Sequence, residues 1–182
     1  NIYYVSNAQL PVRDNSYNWL GVLPGNTTKT IVNSYHKLNE LPQLLNPSHG
    51  YLFNTNNSPF NCEHIEDNPN EQDYPSTFSF REKLNNRSLR FEELIDKFDK
   101  VSYQDFIDIK YDQQYPKPIF CPFEINDIFS YNPSDYPDLK ELIDIIQKWD
   151  RKADVKSKGA AQWFVYYKTL NKSIRKNNHL LD

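Results

Sequence analysis

The sequence predicts an α+β fold, a few short strands followed by a mainly helical half. Three observations carry this. Residues 2–5 and 51–53 are runs of β-branched, aromatic and aliphatic side chains closed off by turn residues, which suits short strands. From Ser88 onward apolar residues recur at three- and four-residue spacing instead. The stretches between are dense in asparagine, proline and serine, the residues of turns.

Taken in order, Ile2, Tyr3, Tyr4 and Val5 read as the first strand, broken by Pro11 and the polar residues after it. Residues 18–30 hold Gly21, Pro24, Gly25 and Asn26 and read as loop. Residues 40–45 form a short apolar connector into the central stretch, 46–59. There Pro47 and Gly50 set a turn, and Tyr51, Leu52 and Phe53 suit a short buried strand. Asn54, Asn56 and Asn57 follow, although asparagine is a poor strand residue. A carboxamide at the tip of a buried strand is a neutral donor in a fixed place, as an oxyanion site requires.

Residues 62–76 are polar, acidic and proline-bearing and read as a surface insertion. Phe91, Leu94, Ile95 and Phe98 then mark an amphipathic helix. Ser102 and Asp105 are spaced as a capping box, and Tyr103, Phe106 and Ile107 continue a second helix. Ser134 to Pro137 is a start signal for a third, with Leu139, Leu142, Ile143 and Ile146 on one face and Trp149 just beyond. A last helix over 157–176 places Ala160, Trp163, Phe164, Tyr167 and Ile174 on one side, and its basic tail suits a helix C-terminus. The expected organisation is a strand and loop segment over 1–60, a polar surface insertion over 61–77 and a helical region over 78–182.

The 182 residues suffice for a substantial core, and an aromatic content of 15% argues against disorder. A net charge of −3 with no basic stripe excludes a nucleic-acid partner, and no apolar run approaches membrane-spanning length. Cys62 and Cys121 are too few and too far apart for a metal motif; they stand as two unpaired residues or one disulfide. The chain begins at Asn1 and has no methionine, so the expectation is a piece of a longer protein.

The central stretch, NPSHGYLFNTNNSP, resembles the corresponding segment of the penicillin acylase family of N-terminal-nucleophile amidohydrolases. The resemblance extends to NIYYVSNAQLPVRD, WLGVLPG and ELPQLLNP upstream. Downstream it takes in LRFEELIDKFDKVSYQDFIDIKYDQQY and IIQKWDRKADVKSKGAAQWFVYYKTL. Residues 60–77 and 119–137 match poorly. The resemblance implies a segment from the middle of the family's β chain, part of a four-layer αββα sandwich with helices beside it. It implies a parent amidohydrolase that removes the acyl group from an N-acylated small molecule such as a β-lactam, an acyl-homoserine lactone or an acyl peptide.

By the same resemblance Asn56 corresponds to the oxyanion-hole asparagine and Arg90 to the arginine that orients it. From the residues alone, Asn56 caps a turn with Asn57, and Arg90 is a helix charge paired with Glu93 or Asp67, with Arg87 one turn earlier as its competitor. The family's nucleophile is an N-terminal Ser, Thr or Cys. Asn1 is none of these, so the nucleophile is expected outside this chain and the chain alone is expected to be inactive. No cofactor is expected here. The family's calcium is possible in the parent, but its ligands would fall near Trp19 and near Phe78, where an aspartate is wanted and Asp73 is the nearest substitute. Expected partners are the remaining precursor segments, the α chain and the N-terminal part of the β chain, which would cover the edges of strands at 2–5 and 51–53. A periplasmic or secreted location follows from the resemblance. His49 reads as a turn residue, and His36, His64 and His179 as scattered; none forms a triad with a Ser or Cys and an acid. Asp150, beside Trp149, reads as a structural cap. The competing class is a non-catalytic structural or interaction segment of an inactive homologue.

Overall fold

The computed structural model describes residues 1–7, 9–80 and 84–178, with the backbone alone for 177 and 178; His179 lies outside them. Among the described residues there is one two-stranded antiparallel sheet, of β1 (Tyr3–Val5) and β2 (Gln43–Leu45). Four α-helices follow: α1 (Asn86–Ile95), α2 (Tyr103–Lys110), α3 (Lys140–Gln147) and α4 (Ala160–Asn178). The fold class is α+β. The chain divides into two compact units, Asn1–Ser88 and Leu89–Asp182.

In the first unit β1 is the expected strand, but its partner is the stretch read as a connector. Tyr3 pairs with Leu45, Tyr4 with Leu44 and Val5 with Gln43. Pro42 lies just before β2, where its missing N–H costs nothing, and its carbonyl accepts from Ser6 N at 2.9 Å. Asn46, at φ 50°, extends the ladder: its backbone N donates to Ile2 O, and its Oδ1 accepts from Ile2 N, both at 2.9 Å. The expected turn at Pro47 and Gly50 is present, with Gly50 N donating to Pro47 O and Gly50 at φ 76°.

The strand expected at 51–53 does not form. Phe53 N donates to Cys62 O at 2.9 Å, but the asparagines that follow bond the backbone with their side chains and turn the chain before a ladder can grow. The core of this unit holds Leu41, Phe53, Cys62 and Phe78. Around Phe78 the rings of His36, Tyr74 and Phe80 stand 4.8, 6.2 and 5.9 Å away.

The segment expected as a surface insertion begins below the surface. Cys62 and Glu63 have no exposed surface, and Asn61 is 7% exposed. Asn68 pins them there: its Oδ1 accepts from Cys62 N and Glu63 N, and its Nδ2 donates to Glu63 O. Burial pushes the Glu63 carboxyl above its ordinary value, and the nearby Asp67 charge adds to this. Only the later, polar part of the segment lies out in solvent, so polarity alone misjudged its start. Both cysteines are free thiols.

In the second unit the core is Ile119, Ile125, Ile128, Ile143, Ile146, Trp149 and Trp163. Trp149 and Trp163 stack with centroids 5.3 Å apart. The expected face of α3 is real for Ile143 and Ile146. Leu139 departs from it, 51% exposed, because a 3-10 turn (Pro137–Leu139) precedes the helix and shifts its angular position. On α4 the inward side is Trp163, Tyr166, Tyr167 and Leu170, an arc of about 100°, whereas Phe164 lies about 100° round from Trp163, beyond that arc, and is 54% exposed. α2 carries the expected capping box: Ser102 Oγ accepts from Asp105 N, and Asp105 Oδ2 from Ser102 N.

Candidate active site

Asn56 lies at the tip of a turn built by asparagines. Asn54 Oδ1 accepts from Asn56 N at 2.8 Å, a local Asx turn. Asn57 Oδ1 accepts from Thr55 N at 2.6 Å and Thr55 Oγ1 at 2.9 Å, and Asn57 Nδ2 donates to Asn61 O. Asn56 itself is at φ 65°, a left-handed conformation that asparagine tolerates better than most residues. The expectation that it ends a strand is corrected, since its position comes from this turn. Its backbone is spent on the turn, but its carboxamide is not: the side chain is exposed and makes no hydrogen bond among the described residues.

The carboxamide borders an open cleft of about 370 Å³ lined by residues 4–7 after the start of β1 and by Asn54, Asn57, Ser58 and Phe80. Ser58 is buried, and its Oγ accepts from Phe60 N at 3.2 Å. Tyr4 is pushed up to about 12, mainly by burial and further by Cys62, so it stands in the wall as a neutral phenol at physiological pH. The cleft therefore joins an unspent carboxamide to walls that, among the described residues, carry no fixed charge.

Asn85 is a residue the sequence reading passed over. Its Oδ1 accepts from Arg87 N and Ser88 N at 2.9 and 3.0 Å, capping α1. Its Nδ2 reaches back to Thr55 O at 3.1 Å, across 30 positions. One carboxamide thus starts the helix and holds the Asn56 turn. The visible signal was an Asn three positions before Ser88, ahead of the apolar periodicity.

Arg90 is on α1, 16% exposed in its side chain, and within its own unit is the hub of a charged network. Nε and Nη2 form a two-pronged contact with Asp112 at 3.0 and 2.9 Å. Nη1 donates to Glu93 at 2.9 Å and Nη2 to Gln114 at 2.7 Å. Gln114 continues to Asp150 O at 2.7 Å. The Glu93 pairing read from spacing is present, while Asp67 bonds the turn at Ser48 and His49. Arg87 N is taken up by the Asn85 cap.

Asp150 has the structural role expected of it, accepting from Lys152 N at 2.9 Å and Ser157 Oγ at 2.5 Å. Phe78 is buried among aromatic rings, and Asp73 is exposed at the end of a 3-10 turn (Glu71–Asp73).

Compared with known families, residues 1–179 match the penicillin amidase family model. The chain therefore belongs to the penicillin amidase family, which at family level makes its parent a hydrolase of the acylase type. No curated protein matches the chain. No helix among the described residues is long and apolar enough to cross a membrane.

Proposed function

We propose that this chain supplies the oxyanion-stabilising segment of an N-terminal-nucleophile amidohydrolase. The parent cleaves the acyl group from an N-acylated small molecule, a β-lactam, acyl-homoserine lactone or acyl peptide. The observation that carries this is the Asn56 carboxamide, its backbone held by Asn54 and its turn by Asn57 and Asn85, with its own NH₂ unspent at a cleft. Family membership supports the reaction class.

In this mechanism the nucleophile is a Ser, Thr or Cys outside this chain, and its own α-amine, with an ordinary pKa of about 7.7–8.0, accepts the proton. Attack on the amide carbonyl places negative charge on its oxygen, and Asn56 Nδ2 donates to that oxygen. A turn fixed before reaction pays no reorganisation at the moment of attack. Arg90 is the proposed orienting residue: a guanidinium bonded to the Asn56 amide oxygen would keep the NH₂ directed at the substrate. Four of its N–H groups go to Asp112, Glu93 and Gln114, leaving one on Nη1 among the described residues. The strands would complete the αββα sandwich with the other segments of the precursor, in the periplasm or outside the cell.

The test is hydrolysis of a panel of N-acyl amides by the full-length protein after maturation. Release of free amine, lost when the N-terminal nucleophile is replaced by Ala, is expected. No hydrolysis by a protein with an N-terminal Ser, Thr or Cys would sink the reading and leave the non-catalytic one. For Arg90, an Asn56→Ala and Arg90→Lys cycle should show non-additive losses in kcat, and additive losses would remove its orienting role.

A further inference from the structure

The turn at Ser48 and His49 and the segment after Asn61 bring together three groups that the amidase reading does not use. Glu63 is fully buried, and neither carboxylate oxygen accepts a hydrogen bond among the described residues. Burying a carboxylate without such bonds is costly unless a counter-charge is supplied. Its Oε2 faces His49 Nδ1 at 3.7 Å. The same Nδ1 is 3.1 Å from Asp67 Oδ2. The ligand atoms of His49, Glu63 and Asp67 all lie within 4.8 Å of one another.

The His49–Asp67 contact is a hydrogen bond in this structure, and its length and that of the His49–Glu63 contact are also near those between a metal's ligands. Four ligands about 2.0–2.2 Å from a tetrahedral ion stand roughly 3.3–3.6 Å apart, close to the two distances found. The groups are also held from outside. Asp67 Oδ2 accepts from Ser48 N and Ser48 Oγ, each at 2.6 Å, and from His49 N at 3.3 Å. His64 stacks on His49 with centroids 3.9 Å apart and planes at 27°, and its Nδ1 accepts from Glu66 N at 3.4 Å. This stacking holds the plane of the His49 ring.

We propose that His49, Glu63 and Asp67 bind one divalent transition cation of the zinc class. The imidazole selects such an ion over calcium or magnesium, which prefer oxygen alone. The ion takes the place of the Nδ1 proton on His49, which is released, and supplies the buried Glu63 carboxylate with its counter-charge. A fourth position is left for water. The ligands come from either side of the Asn56 turn in sequence, so the ion braces both of its approaches.

The experiment loads the purified full-length protein with zinc chloride, dialyses it and counts bound metal per chain, for wild type, His49→Ala, Glu63→Gln, Asp67→Asn and the control His36→Ala. Wild type and His36→Ala should retain one zinc more than His49→Ala and Glu63→Gln. Asp67→Asn, which removes a ligand, should lose the zinc as well. Cobalt chloride should give wild type a visible absorption band that His49→Ala lacks, and excess calcium chloride should not remove it. Equal zinc content in wild type, His49→Ala and Asp67→Asn overturns the proposal, as does displacement of the cobalt band by calcium. His49 and Asp67 are partly exposed, 33% and 22% in their side chains, so their variants decide the matter even if Glu63→Gln does not fold.

Discussion

At Gly159 one carbon atom separates a fitting residue from a misfit. A Cβ there would stand 2.8 Å from Trp149 Cβ, and the backbone is at φ 102°. Trp149 cannot withdraw, because its Nε1 donates to Lys152 O and Ser157 Oγ and its ring stacks on Trp163. Gly159→Ala should therefore destabilise the chain by about 2–5 kcal/mol, read by denaturant unfolding. An unchanged midpoint would mean that Trp149 moves freely. Asp112 gives a second prediction. Burial alone would raise its carboxyl, but the Arg90 guanidinium and Gln114 N–H outweigh it and hold the group below its ordinary value. A depressed acid contributes stability that is complete above its unfolded pKa and is lost as pH falls through the folded one. Below about pH 4 the melting temperature of wild type should fall more steeply than that of Asp112→Asn. Parallel curves would show that Asp112 titrates as it does in the unfolded chain.

Among the elements, the helices and β1 were legible, but β2 was not, and the strand read at 51–53 does not form. Ile143 and Ile146 announced α3 through spacing, and Ser102 with Asp105 announced the start of α2, because these signals are local. β2 was hidden because Gln43, Leu44 and Leu45 form too short a run to show a period, and their identity as a strand comes from pairing with residues 40 positions away. The run at 51–53 misled for the opposite reason: its apolar side chains fit a strand, but the asparagines beyond it turn the chain. Of the candidate site, Asn56 and Arg90 were visible through the family resemblance. Asn85 was not, since its bond to Thr55 is a tertiary fact. That bond separates two caps. Asn85→Ala should cost about 1–2 kcal/mol and also lower kcat in the full-length enzyme, whereas Ser102→Ala should cost about 1 kcal/mol and leave kcat alone. Equal kcat in both variants would detach the helix start from the Asn56 turn.

For the whole molecule, family membership over residues 1–179 and the local geometry bear on different questions. The family gives the reaction class. The geometry of the first unit gives a reason for asparagine at position 56: a left-handed turn residue whose backbone is fixed and whose carboxamide is still unspent. A residue serving only the turn could be replaced by glycine with little loss of function, since glycine adopts the same backbone freely. Asn56→Gly and Asn56→Ala in the full-length enzyme therefore separate the turn from the donor, and their steady-state kinetics on a cleavable N-acyl amide are the most direct test. Both variants should lose about 10²–10³ in kcat with KM little changed, because the lost interaction forms only with the developing oxyanion. A glycine variant with wild-type kcat would contradict the oxyanion role and leave Asn56 as a turn residue alone.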